Sequence, residues 1–316
     1  MSLIVETVLF VFGLVALGYL SGLTGYLSTE TGDALSTFAV GVALPLLLFR
    51  TMINADFHGS APWAMWGAYF SSVVVAWTAG HLVTTRVFGR DSQAGVVGGV
   101  ATAFSNLLLL GVPFIQRVLG QQGFEILSLL IAVHLPTMIM ASIILFSVFG
   151  TGAHPPAGPF DMIRGFVRRI IKNPLIVGIL LGLVWRMTGL ALPGLAERIV
   201  DSLADIAGTI ALFAMGLGLR KFGISGNVRP ALALSALKLI LMPAVALLMA
   251  LAFGLPPLTA KVEVAAAALP SGVNSYLIAT QLGTGQALAS NQMTIATAGA
   301  VVTLTFWLTV AQMVFG

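Results

Sequence analysis

The sequence predicts an all-α integral membrane protein with ten transmembrane helices in two inverted five-helix repeats, helices 4 and 9 being interrupted. Three observations lead there. Hydrophobic residues make up 58% of the 316 residues, charged residues only 8%, and the mean hydropathy is +1.01. That much apolar surface cannot be hidden inside one water-soluble globule, so lipid is the expected solvent. Apolar runs bounded by Gly, Pro and charge are long enough to cross a bilayer, which takes about 20 residues each. Basic residues gather on alternate loops, the pattern that orients a membrane protein.

The runs fall at 3–21, 34–53, 62–86, 94–118, 124–149, 174–190, 196–219, 230–253, 261–283 and 288–315. Met1 to Leu20 lacks a basic n-region and carries Glu6, so it reads as a first span and not a cleaved signal. The longest polar stretch, Thr151 to Asn173, holds His154, Pro155, Pro156, Pro159, Arg164, Arg168, Arg169 and Lys172. It divides the chain into a first repeat, 1–150, a short basic loop, 151–173, and a second repeat, 174–316. No soluble domain is expected beside them.

One set of loops carries Arg86, Arg90, Arg164, Arg168, Arg169, Lys172, Arg220, Lys221 and Arg229; the other carries Arg50, Arg117, Arg186, Arg198 and Lys261. The richer side is expected to be cytoplasmic, with both termini outside. An odd number of spans per half then inverts the second half relative to the first. Inverted repeats with a site near the midplane are a recurrent transporter architecture. The formal charge of +4 resides in these loops, so it argues for membrane orientation and against a nucleic-acid partner. With no cysteine, the chain has no disulfide, thiolate metal site or cysteine nucleophile.

The fourth span of each half is interrupted: Ser105-Asn106-Leu107-Leu108-Leu109-Leu110-Gly111-Val112-Pro113 in the first, Leu269-Pro270-Ser271-Gly272-Val273-Asn274-Ser275 in the second. Proline has no N–H and clashes with the preceding turn, which kinks or unwinds the helix. In hydrocarbon the freed backbone groups cost several kcal/mol each unless protein or water satisfies them, so the breaks must be buried or line a cavity. Half-helix N-termini there present N–H groups and a positive dipole end that suit a carboxylate, and Asn106, Asn274 and Ser275 add neutral donors and acceptors. A packing kink is the plainer reading, but breaks at corresponding spans of both halves favour a binding site of Asn106, Pro113, Pro270, Gly272, Asn274 and Ser275. Pro45 and Pro136 occur singly and read as packing kinks.

Lys238 lies well inside the eighth span, about 13 Å along a helix from Arg229. Two roles are open to it: neutralising a substrate carboxylate, or tethering helices. Glu197, Asp201 and Asp205 share one face of the seventh span at i, i+4, i+8 spacing. For the first two, complementing the helix dipole is explanation enough, whereas the deeper Asp205 is a candidate for a coupling proton. His134 in the fifth span is another candidate, against the plainer reading of a hydrogen-bonded interior histidine.

Several of these segments, in this order, resemble the auxin efflux carrier family, which includes the plant PIN proteins and prokaryotic malonate transporters. Phe38 to Phe49, with Ala43-Leu44-Pro45-Leu46-Leu47, is similar to its FAVxxAVPLLxF stretch. Arg168 to Trp185, RRIIKNPLIVGILLGLVW, resembles its basic Asn-Pro opening of span six. Ala211 to Leu219 is similar to its ALFxxGL run, and Lys238 with Pro243, Ala244 and Val245 to its basic residue before Pro-Ala-Val. Asn106, Gly111, Val112 and Pro113 match N-x-x-x-x-G-[IV]-P; Pro270, Gly272 and Val273 match P-x-G-[IV]. Spans one, three and ten share only apolar character with it. Where plant members often have a proline this chain has Ser275, which centres the second break on Pro270.

The resemblance implies that spans four and nine cross at their broken centres at the midplane with substrate nearby. It further implies a dimerising scaffold of spans 1, 2, 6 and 7, a mobile domain of spans 3–5 and 8–10, and elevator-like alternating access. The function expected is secondary transport of a small organic anion, either an auxin-like monocarboxylate or a malonate-like dicarboxylate, across the cell (inner) membrane. No cofactor or metal is expected. Likeness to the similarly folded bile-acid symporters leaves Na⁺ coupling open, through Asn106, Thr280 and Gln281. A membrane receptor that binds the anion without moving it, and a channel, are the rivals. An intramembrane hydrolase is not expected, because no HExxH, GxSxG or GxGD is present and Ser271 has no identifiable partner.

Overall fold

A computed structural model describes residues 3–55, 62–149, 171–221 and 228–316, together with Arg164, Arg168 and Gly226. Most of the expected loop 151–173, with His154 and Arg169, lies outside the described residues. Among those described, the secondary structure is helical, apart from one isolated antiparallel bridge. The helices are α1 (Leu3–Leu23), α2 (Thr29–Phe38), α3 (Leu44–Asn54), α4 (Trp63–Leu82), α5 (Ser92–Ala103), α6 (Val112–Phe149), α7 (Pro174–Met187), α8 (Gly194–Asp205), α9 (Ala207–Leu219), α10 (Val228–Ala236), α11 (Met242–Ala252), α12 (Pro257–Ala268), α13 (Val273–Gln281) and α14 (Gln286–Phe315). Among the described residues, six helical stretches are long and apolar enough to cross a membrane.

Local chemistry sets the ends. Ser28 caps α2 by accepting from the Thr31 N–H, Asp91 caps α5 through Ala94, and Asn173 caps α7 through Leu175, with Pro174 at its first turn. Gly120, at φ 69°, takes the left-handed conformation that breaks α6 into two unequal limbs. Three π-helical turns each lie just ahead of a proline: Ala39–Ala43 before Pro45, Leu107–Gly111 before Pro113, and Leu237–Leu241 before Pro243. Proline cannot donate to the carbonyl four residues back, and the looser turn relieves its clash there. At Pro243 the carbonyl left over is that of Leu239, and it accepts from Trp307 Nε1 at 2.8 Å.

Glycines mark the closest helix contacts. A Cβ at Gly18 would run into the Phe213 carbonyl, and one at Gly216 into that of Val15, so α1 and α9 touch backbone to backbone. Gly178 and Gly182 of α7 meet Pro45 and Phe49 of α3 in the same way. Membrane helices gain little hydrophobic drive from meeting, so close approach through small residues supplies the attraction. Helices α1, α2, α3, α7, α8 and α9 form one packing group in this manner. Helices α4, α5, α6, α10, α11, α12, α13 and α14 form a second, with Thr102 Oγ1 of α5 donating to the Ala76 carbonyl of α4 at 2.9 Å. The groups meet where α1 packs on α6 and α14, and where α9 packs on the turn Leu107–Gly111. Large apolar side chains left exposed, among them Leu181, Val302 and Phe306, suit a lipid surround.

Gly216→Val is expected to destabilise the protein by about 1–3 kcal/mol, the usual cost of overpacking. Thermal unfolding in detergent would read this as a lower midpoint; an unchanged midpoint would show that α1 and α9 are not held at this distance.

Candidate binding site at the helix crossing

Two chain breaks meet inside the second group. Helix α5 ends at Ala103, Phe104 turns extended, and Ser105 forms an antiparallel bridge with Ser271. The Asn106 N–H donates to the Pro270 carbonyl at 2.9 Å. Asn106 then caps the turn that follows, its Oδ1 accepting from the Leu109 N–H at 3.2 Å and its carbonyl from the Gly111 N–H at 3.0 Å. In the second break Leu269 and Gly272 are extended, and α13 starts at Val273. The Ser275 N–H and Oγ both return to the Gly272 carbonyl, at 3.1 and 2.8 Å. A Cβ on Gly272 would lie 3.0 Å from Asn106 Cγ, so glycine is what lets the two strands approach.

The crossing thus brings together Asn106, Pro270, Gly272 and Ser275. Two helices begin there, one running into α6 and the other being α13, and the first-turn N–H groups of such helices want acceptors. Asn274 joins Asn106, Ser105 and His134 around a space of about 20 Å³, room for about one water molecule. His134 is buried, edge-on to Tyr69 and Phe104 at 5.6 and 4.9 Å between ring centres, and neither of its nitrogens makes a hydrogen bond of ordinary geometry. Ser105 is its nearby polar neighbour, as it is for Tyr69.

Lys238 is fully buried beside the crossing. Its ammonium donates to Ser105 Oγ at 2.8 Å, to the Ala267 carbonyl at 2.7 Å and to Met242 Sδ at 3.0 Å. Ala267 lies in the last turn of α12, where carbonyls lack helical partners and a cation is favoured. Two of these bonds link the first break to the helix that leads into the second, and the third returns to the lysine's own segment at Met242.

Other sequence candidates lie elsewhere. Pro113 and Asp205 line a larger cavity, about 310 Å³, between α1, α3, α6, α8 and α9. Asp205 is exposed and pairs with Arg50 at 2.8 Å, as does Asp201 at 3.1 Å. Arg117 faces the same cavity, its guanidinium 3.9 Å over the Phe10 ring. Gln281 ends α13, about 13 Å along the helix from Gly272, and Thr280 bonds its own helix at Tyr276. The fold does not bring Gln281 to Asn106.

Three further polar residues near the crossing do not stand out in the sequence. Ser105, one residue of the first break, pairs with Ser271 and accepts from Lys238. Gln292 of α14 accepts from Ser271 Oγ. Glu263 of α12 is fully buried, and among the described residues neither of its oxygens has a hydrogen bond. An acid three residues into an apolar run was the available signal.

Lys238→Met is expected to lower the unfolding midpoint, because Ser105 Oγ and the Ala267 carbonyl lose their donor at about 1–3 kcal/mol each. Normal stability with weakened anion binding would instead make the lysine a counter-ion. Glu263→Met, which removes an unpartnered buried polar group, is expected to raise the midpoint; a fall would reveal a partner for the carboxyl.

Residues 3–308 match the family model described as membrane transport protein. A Methanothermobacter thermautotrophicus protein named "Uncharacterized transporter" is 26% identical over 309 residues, 96% of each chain. A Rhizobium meliloti protein named "Putative malonate transporter" is 27% identical over 324 residues, 96% of this chain and 95% of that one. Auxin efflux carrier component 7 of Arabidopsis thaliana is 28% identical over 130 residues, 39% of this chain and 21% of its own. These matches bear out the resemblance to the auxin efflux carriers. Family members are transporters and not enzymes, and the chain belongs to the membrane transport protein family as a membrane-embedded transporter of small molecules.

Proposed function

We propose that this protein is a secondary transporter of small organic anions that binds its substrate at the crossing of the two broken helices. The observation that carries the reading is the pairing of Ser105 with Ser271 and of Asn106 with Pro270, which sets two helix N-termini beside Asn106 and Asn274. Uncharged amides and helix dipoles can take up a carboxylate without fixing it by a full charge, which suits a ligand that must also leave.

In this reading the ten crossings are α1, α2 with α3, α4, α5 with the short limb of α6, the long limb of α6, α7, α8 with α9, α10 with α11, α12 with α13, and α14. They form two inverted fives. The glycine-packed group of α1, α2, α3, α7, α8 and α9 serves as scaffold and dimer interface, and the other group carries the substrate as an elevator. The chain lies in the inner membrane with its basic loops cytoplasmic. Support for the anion class comes from the relative named for malonate and those named for auxin. A monoanion leaving a negative-inside cell gains about 2.3 kcal/mol per 100 mV, whereas uptake of a dianion opposes twice that and needs coupled cations.

The test is uptake of radiolabelled malonate and of indole-3-acetate into proteoliposomes, with and without Na⁺ and pH gradients. Saturable uptake of one of them is expected, reduced at least tenfold by Asn274→Ala at equal protein abundance. Equal uptake by the variant would remove the crossing as the site, and no saturable uptake of either by folded protein would remove the anion class.

A further inference from the structure

The cavity lined by Arg50 and Arg117 lies outside the crossing, on the seam between the two packing groups. We propose that it is a reception site selective for dicarboxylates, in which one carboxylate replaces Asp205 on Arg50 and the other meets Arg117. This rests on the carrier reading above and adds to it the charge of the substrate.

The argument starts from how unequally the two cations are partnered. Arg50 already holds two carboxylates, of Asp201 and Asp205, and the Asp205 side chain is 68% exposed. An ion pair that wet is worth at most about 1 kcal/mol, so exchanging one carboxylate for another at Arg50 is nearly neutral. Arg117 makes no ion pair among the described residues. Its guanidinium carbon lies 3.9 Å over the Phe10 ring, and the side chain lines the cavity. A monocarboxylate can exchange at Arg50 or pair with Arg117, whereas a dicarboxylate does both in one binding event. Only the dianion gains a new ion pair in addition to the exchange.

The surroundings fit such a ligand. At about 310 Å³ the cavity has the size of a small-molecule site, where the space beside Asn274 admits about one water. Gln116 and Thr209 supply neutral donors on its walls. Pro113, at the other end of the turn that Asn106 caps, forms part of the lining and packs against Gly208, where a Cβ would come within 3.0 Å. The cavity therefore abuts the segment leading to the crossing. Asp205 precedes the bend at Ile206 between α8 and α9, so releasing it from Arg50 also frees one tie between α3 and that bend.

The experiment uses the full chain in proteoliposomes and compares malonate with acetate as competitors of uptake. Arg117→Gln, at an exposed position, is expected to raise the half-saturating malonate concentration about tenfold, the loss of roughly one charge-assisted hydrogen bond, and to weaken acetate inhibition by less, because acetate retains the exchange at Arg50. Arg50→Gln should do the same, acetate then retaining Arg117. A second readout does not need transport: with no native cysteine, Thr209→Cys gives a single thiol whose labelling by a membrane-impermeant maleimide should slow with malonate and not with acetate. Saturable malonate uptake with unchanged half-saturation in Arg117→Gln and no protection of the thiol would overturn the reception site while leaving the carrier intact. Equal protection by acetate would overturn the dicarboxylate selectivity. Absence of saturable uptake with malonate protection retained would keep the site and sink the carrier.

Discussion

In a hydrocarbon surround, every backbone group released by a helix break must find a partner within the protein. The crossing depends on that requirement. Phe104 to Asn106 and Leu269 to Gly272 leave their helices, and each break supplies what the other lacks: Ser105 pairs with Ser271, and the Asn106 N–H takes the Pro270 carbonyl. Lys238 covers the leftover Ala267 carbonyl, and Trp307 covers that of Leu239. Neither break can be closed alone, so two distant parts of the chain fold against each other.

Packing divides the molecule along the same logic. Where glycines let backbones touch, as between α1 and α9 or α3 and α7, helices interlock closely and any added carbon must displace main chain. Between the two packing groups such contacts are fewer, and the larger cavity opens there, bordered by Pro113 and Gly208. The seam, and not the glycine contacts, is where the movement of one group past the other proposed above would take place.

Charge is placed with equal economy. The ion pairs of Arg50 sit at a wet cavity edge where they cost little to make or exchange. The charge that is fully buried, Lys238, spends every proton on a protein acceptor. Among the described residues, Glu263 is a buried acid without a hydrogen bond.

The sequence by itself determined the class of the protein and the location of its breaks. Hydropathy is a sum over residues, and the effects of Pro113, Pro270 and Gly272 on the backbone act within a turn, so both are legible without a partner segment. Family membership was legible for the same reason, in short runs such as Arg168 to Trp185. Only the tertiary structure decided what each polar residue touches. The partners of Lys238, namely Ser105, 133 residues away, and Ala267, come from packing and cannot be read from its place in the span. Asp205, a candidate for a coupling proton by its depth in the span, lies exposed beside Arg50, 155 residues distant, because of the bend at Ile206. Gln281 shares a segment with Asn274 but ends on the far turn of its helix. Side-chain partners across such separations follow from how helices pack, and a single sequence records the helices without recording their arrangement.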